Sequence, residues 1–224
     1  MTGTVIPRTR VRRVPARAVY DREAIDRILD EALIAHLGFV HDGHPFVIPT
    51  LHARVGDTVY VHGSAASRAI RTLGSGVPAC LTVTLLDGIV LARSAFHTSV
   101  NYRSVVVLGT ATPVEGRGER LRALEAFMER LIPGRWGEVR PPTGKELKGT
   151  RVLALALDET SAKVRTGPPE DDPDDLELPI WAGVIPLYAS TGTPIPDALT
   201  PPHIAPSGAV TDWTPQRQTR DARA

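Results

Sequence analysis

The chain has 224 residues, a length that fits one domain with a sizeable core and appended arms rather than two full domains. Lys and Arg number 26 against 25 Asp and Glu, a net charge of +1, so no overall field points to nucleic acid or to an anionic membrane. The single cysteine, Cys80, excludes an internal disulfide, no zinc-ligand spacing occurs, no apolar run approaches a membrane span, and the basic N-terminus lacks a signal peptide's apolar region. A soluble cytoplasmic protein without a bound metal is expected.

Residues 1–19 carry Arg8, Arg10, Arg12, Arg13 and Arg17 and no acid, which reads as an exposed basic arm. The domain proper is expected over 20–190. Its first element is an amphipathic helix over Asp21 to Leu33, with Ile25, Ile28, Leu29 and Leu33 on one face and acids in the first turn. Strand patterning follows from Ile34, Asp42-Gly43 supplies a hairpin turn, and Pro45 to Val55 and Val59 to His62 read as strands separated by Gly56-Asp57. A helix is expected over Ser64 to Leu73, with Ile70 and Leu73 at helical spacing.

Two further strands, Val77 to Leu86 and Ile89 to Ala95, flank Asp87-Gly88, a strong local signal for a two-residue hairpin. Ser104 to Pro113 reads as strand and Arg117 to Leu131 as helix, with Leu121, Leu124, Phe127, Met128 and Leu131 at three-to-four spacing before Pro133-Gly134. Arg151 to Asp158 and Ala162 to Thr166 are the last strands. Six acids in eight residues, Glu170 to Glu177, read as a solvated loop, and 191–224 as an irregular C-terminal extension. About seven strands with short turns and two or three helices predict a mainly β (α+β) fold, an antiparallel barrel, closed or half-open, rather than a parallel sheet.

The stretch from Val59 to Arg68 carries the first chemistry. A strand feeds a helix through Gly63-Ser64, and a helix start presents unpaired backbone N–H groups, so Ser64, Ser67 and Arg68 form a candidate phosphate cradle. Arg68 adds a permanently charged fork. A capped helix with a solvated arginine satisfies the same spacing, and both readings stand at this point.

Three motifs together carry a resemblance: His62-Gly-Ser-Ala-Ala-Ser-Arg68, Asn101-Tyr-Arg-Ser-Val105, and Val164-Arg-Thr-Gly-Pro-Pro169 followed by Trp181-Ala-Gly-Val-Ile-Pro-Leu187. On these the chain resembles the pyridoxamine 5'-phosphate oxidase-like superfamily of FMN-binding split-barrel flavoproteins, in particular its flavin-nucleotide-binding or nitroimidazole-resistance-like branch. The resemblance implies an antiparallel split β-barrel with flanking helices and an FMN phosphate held by Ser67 and Arg68. The family's lysine after this pair is Ala69 here, with Arg71 one helical step on. It further implies a flavin ring lined by Ile48, Pro49, Thr50 and Leu51, with Arg103 and Ser104 at the ribityl chain or ring edge. Trp181 resembles the late tryptophan that approaches the flavin from a partner subunit of a homodimer, although plain packing explains it equally well.

No Tyr-x-x-x-Arg-Pro-x-x-Ser run occurs, so vitamin B6 oxidation is not the expected reaction. His52, His62 and His97 are candidates for proton or ligand chemistry, each with hydrogen-bonded packing as the plain alternative. His62 has the strongest case: it ends the strand beside the cradle, relatives place a histidine there in the active site, and some split barrels hold haem by histidine. Two functions are carried forward. One is a flavin-dependent oxidoreductase acting on a small organic molecule, with His62 catalytic; the other is a non-catalytic flavin- or haem-binding protein that stores or senses its ligand. FMN is the expected cofactor, with a deazaflavin or haem as alternatives.

Overall fold

The computed structural model describes residues 8–214; the first part of the basic arm and the end of the C-terminal extension lie outside them. The elements in chain order are β1 (Ala18–Val19), α1 (Arg22–Glu31), β2 (Ile34–His41), β3 (His44–Val55), β4 (Thr58–Ser64), α2 (Arg68–Gly74), β5 (Pro78–Leu91), β6 (Ser99–Thr110), β7 (Thr112–Pro113), α3 (Arg117–Leu131), α4 (Gly144–Gly149), β8 (Thr150–Ala156), β9 (Glu159–Arg165), β10 (Gly183–Pro186) and α5 (Gly208–Thr211). All pairings are antiparallel, in the order β1-β9-β6-β5-β2-β3-β4-β8-β7, with β10 on β5. This is the expected mainly β split barrel, with ten strands where turn counting gave about seven.

One strand makes the barrel's corner. β3 pairs with β2 through Leu51 and with β4 from His52 onward, so it leaves one half of the sheet and joins the other between those two residues. The hairpin from β2 to β3 turns at Asp42 and Gly43, both at positive φ (50° and 76°), the backbone a two-residue twisted turn requires.

Helix α1 starts where Asp21 caps it, its carboxylate accepting from the Ala24 N–H at 2.9 Å. Ile25, Ile28 and Leu29 go fully into the main core with Leu37, Leu81, Val105, Val107 and Leu153. The helix ends at Glu31 rather than Leu33, because Ala32 is already extended to feed β2. On the other side α3 lays Ala123 and Phe127 over Ala53, Tyr60 and Val152. The Tyr60 hydroxyl donates to Glu119 at 3.0 Å and ties the helix to β4.

Three expectations are corrected. Asp87-Gly88 is not a turn: β5 runs straight through it, and the register against β6 shifts between Leu86 and Gly88, a β-bulge at Asp87. The bulge turns Asp87 onto Arg103, and Gly88 lets β10 approach, since a Cβ there would lie 3.0 Å from the Ile185 carbonyl oxygen. β6 consequently begins at Ser99, so Asn101 to Arg103 are strand residues. The acidic segment is not merely solvated: the Asp171 side chain is 2% exposed and takes two bonds from Arg93, both at 2.8 Å. His97 faces Asp172 at 3.2 Å, which assigns it to the same clasp. Finally, the helix expected from Ser64 starts at Arg68, because Ser64 completes β4 opposite Thr150. No described helix is long and apolar enough to cross a membrane.

Candidate functional site

Strands β3 and β4 and helix α2 bring most of the expected residues into one region. Ile48, Pro49, Thr50 and Leu51 lie opposite Leu37, His36, Ala35 and Ile34 of β2, so the missing N–H of Pro49 sits in a paired strand. His62, Gly63 and Ser64 close β4. Gly63 has a packing reason: a Cβ there would be 2.9 Å from Ile70, so its absence lets α2 fold tightly against the strand.

The cradle is narrower than the sequence suggests. Ser64 Oγ accepts from Ala66 N–H at 3.2 Å, while Ala65 and Ser67 donate to the carbonyls of Gly149 and Ser64, both at 2.9 Å. Those groups serve the fold. Ser67 is the N-cap of α2 but makes no side-chain cap, so its hydroxyl is available. With only seven residues, α2 has a weak dipole, and anion binding must rest on side chains. Arg68 stacks over Phe46 with its guanidinium carbon 4.4 Å from the ring centre, which tethers it beside β3. Arg68 and Arg71 together line a depression of about 620 Å³ with His41, Thr72 and Ser75. Of the expected phosphate contacts Arg68 therefore shares one surface with the substitute Arg71, on which Asp42 also lies, while Ser67 is not among its lining residues.

His62 lies in a separate cavity of about 320 Å³ whose walls include Leu51, Phe127, Met128, Trp136 and Thr150. Phe127 meets the imidazole edge-on, with centroids 4.4 Å apart. His62 Nδ1 is buried and has no hydrogen-bond partner among the described residues. Burial lowers the pKa of the ring, so it is neutral at physiological pH and keeps a lone pair. An uncharged imidazole on an apolar wall can ligate a metal centre or accept a proton. His52 behaves differently: its Nε2 donates at 2.9 Å to the Leu29 carbonyl at the end of α1, and it is fully enclosed. It packs and caps, as the plain reading held.

Arg103, Ser104 and Trp181 stand apart from this region. Arg103 forms ion pairs with Glu31 and, at 2.8 Å, with Asp87, and these bonds push its pKa upward. Its donors face carboxylates of its own fold. Ser104 Oγ donates to the Lys163 carbonyl at 3.3 Å. Trp181 precedes β10 with its ring against Gly183 and is 67% exposed, so it is not a core residue of its own barrel.

Sequence reasoning missed α4 and the wall it helps to build. Thr143 and Glu146 form a full capping box there, and Arg140 bonds Glu146 at 2.6 Å, holding that carboxyl down to about 2. The signal was present as Thr-x-x-Glu. Among the described residues no group of three or more His, Cys, Asp or Glu is placed to hold a metal ion.

The flavocytochrome Anf3 from Azotobacter vinelandii has a similar structure, with 42% sequence identity and a TM-score of 0.88 over 93% of this chain and 97% of that one. A FAD and haem binding protein from Mycobacterium smegmatis is 38% identical, with a TM-score of 0.85 over 89% of this chain and 98% of its own. A proposed 5-nitroimidazole antibiotic resistance protein from Bacteroides thetaiotaomicron, 22% identical with a TM-score of 0.56 over 66% of this chain and 86% of its own, shares the fold. No curated protein matches the sequence. Residues 21–164, from the cap of α1 to the penultimate residue of β9, match the family described as pyridoxamine 5'-phosphate oxidase, and the chain belongs to that family.

Proposed function

We propose that this protein is a flavin-binding redox protein that also carries haem, with His62 as the haem ligand, and that it transfers electrons to or from a small organic molecule. The observation that carries the reading is the His62 imidazole: neutral through burial, without a partner at Nδ1 among the described residues, on a mostly apolar wall that also carries Glu146, beside Leu51 of the expected flavin strand. A single neutral histidine in such a wall fits a haem iron. The two relatives at 42% and 38% identity are named as a flavocytochrome and as a FAD and haem binding protein, which supports pairing the two cofactors here. The flavin's 5'-phosphate, common to FMN and FAD, is assigned to Arg68, with Arg71 supplying a second charge on the same surface and the uncommitted hydroxyl of Ser67, the adjacent N-cap, a further donor. Flavin and haem, when bound, supply the electron chemistry; the chain's residues bind, orient and shield them.

The same reading takes a homodimer. Ile34, His36, Val40, Val47, Pro49 and Leu86 lie along the outer side of β2, β3 and β5, an uncharged face on which Val47 is 67% exposed. Pairing two such faces would allow Trp181 of one protomer to meet the Ile48 to Leu51 strand of the other, which accounts for its exposure in the single chain.

The test is spectroscopic. Protein reconstituted with flavin and haem should show flavin bands together with a Soret band. His62→Ala should lose the Soret band and keep the flavin; Arg68→Ala should weaken the flavin and keep the Soret band. A Soret band unchanged in His62→Ala, or absence of flavin binding by the wild type, overturns the reading. Chromatography of the released flavin separates FMN from FAD and from a deazaflavin.

A further inference from the structure

A second cavity, of about 680 Å³, is lined by none of the expected site residues, although Arg103 bonds its wall residue Glu31 from behind. Leu33 after α1, Leu85 of β5, Pro133 after α3 and Trp213 of the returning C-terminal segment give it apolar walls. Its size and lining are those of a site for a small organic ligand.

The charges on its wall select the ligand. Arg130 keeps its positive charge in this wall, but most of its terminal N–H groups are turned away to the carbonyls of Leu29, Asp30 and Ala32, and its Nε is buried. Asp30 and Glu31, also in the wall, are paired with Arg54 and Arg103. Asp212 is different. Among the described residues it forms no ion pair and accepts only the Thr211 hydroxyl, at 3.0 Å. It is the C-cap residue of α5, a single turn too short for its dipole to contribute, so any charge preference there rests on the carboxylate itself. Among the described residues the cavity thus presents an apolar body with one carboxylate outside any ion pair and an indole whose face attracts cations.

We propose that this cavity is a binding site for a small organic cation, an amine or quaternary ammonium on an apolar or aromatic body. The ammonium meets Asp212, and the body lies among Leu33, Leu85, Pro133 and Trp213. This inference does not depend on the flavin and haem reading.

Three probes share one ring and differ in charge: tryptamine, tryptophol and indolepropionate. Calorimetric titration of the full chain should give tryptamine about tenfold tighter binding than tryptophol, the scale of one charge-assisted hydrogen bond, and indolepropionate weaker binding than both. Ala209→Trp, which fills the cavity from its C-terminal wall, should abolish binding of all three. Asp212→Asn should bring tryptamine down to the level of tryptophol. Circular dichroism of each variant confirms that it is folded. Indolepropionate binding as tightly as tryptamine, tryptamine binding unchanged in folded Ala209→Trp, a preference that survives in Asp212→Asn, or no heat from any probe at millimolar concentration overturns the proposal.

Discussion

His52 should make the fold acid-sensitive in a defined window. The ring is enclosed, donates Nε2–H to the Leu29 carbonyl and leaves Nδ1 without a partner, so protonation would bury a positive charge. Burial, then the nearby Arg130 charge, lower its pKa from 6.5 to about 4. In the unfolded chain His52 takes up its proton as pH falls through 6.5, whereas the folded protein resists until about 4, so between these values the unfolded state binds more protons. Stability therefore falls as pH decreases across that window, by about 1.4 kcal/mol per unit and about 3 kcal/mol in all. His52→Gln keeps a donor for Leu29 and removes the titration. Urea unfolding at pH 7, 6 and 5 should find the variant less stable at pH 7, with the gap to wild type shrinking by about 2 kcal/mol by pH 5. Parallel curves for the two proteins would refute the argument, as would a His52 ring proton whose NMR shift titrates near 6.5.

Arg68→Ala should weaken flavin-nucleotide binding by about 1.5–3 kcal/mol in fluorescence titration, while riboflavin, which has no phosphate, should respond little to the substitution. Arg103→Met strips the guanidinium from between Glu31 and Asp87, whose side chains are largely enclosed, and should cost about 3–5 kcal/mol in chemical unfolding. Gly88→Val drives a side chain into the Ile185 carbonyl and Val184, so amide exchange of the β10 residues and of Leu187, which bonds the Asp87 carbonyl, should accelerate while β6 stays protected. Val47→Glu places a charge on the outer face of β3 and should shift the proposed dimer toward monomer in sedimentation velocity at micromolar concentration.

What was legible in the sequence is what local physics decides. Ile25, Ile28 and Leu29 became a buried helix face because a 3.6-residue period selects one side whatever lies opposite, whereas of the stripe expected on α3 only Phe127 is fully buried, with Leu121, Leu124, Met128 and Leu131 partly buried and Ala123, outside that stripe, buried beside Phe127. Asp42-Gly43 became a turn because both residues accept positive φ and nothing else competes for them. Asp87-Gly88 carries the same local chemistry, yet its outcome was decided elsewhere. Arg103, on the neighbouring strand β6, takes the Asp87 carboxylate, and β10, nearly a hundred residues on, pairs across Gly88; together these hold the strand extended and turn the dipeptide into a bulge. The site divides the same way. His62, Ser67 and Arg68 follow one another along a strand, a turn and a helix, so their proximity is local and readable. The wall that makes His62 chemically unusual is assembled from Phe127, Trp136 and Thr150, on segments whose distance to β4 no spacing encodes. Desolvation belongs to the assembled fold, so the residue was legible while its neutral, partner-free state was not.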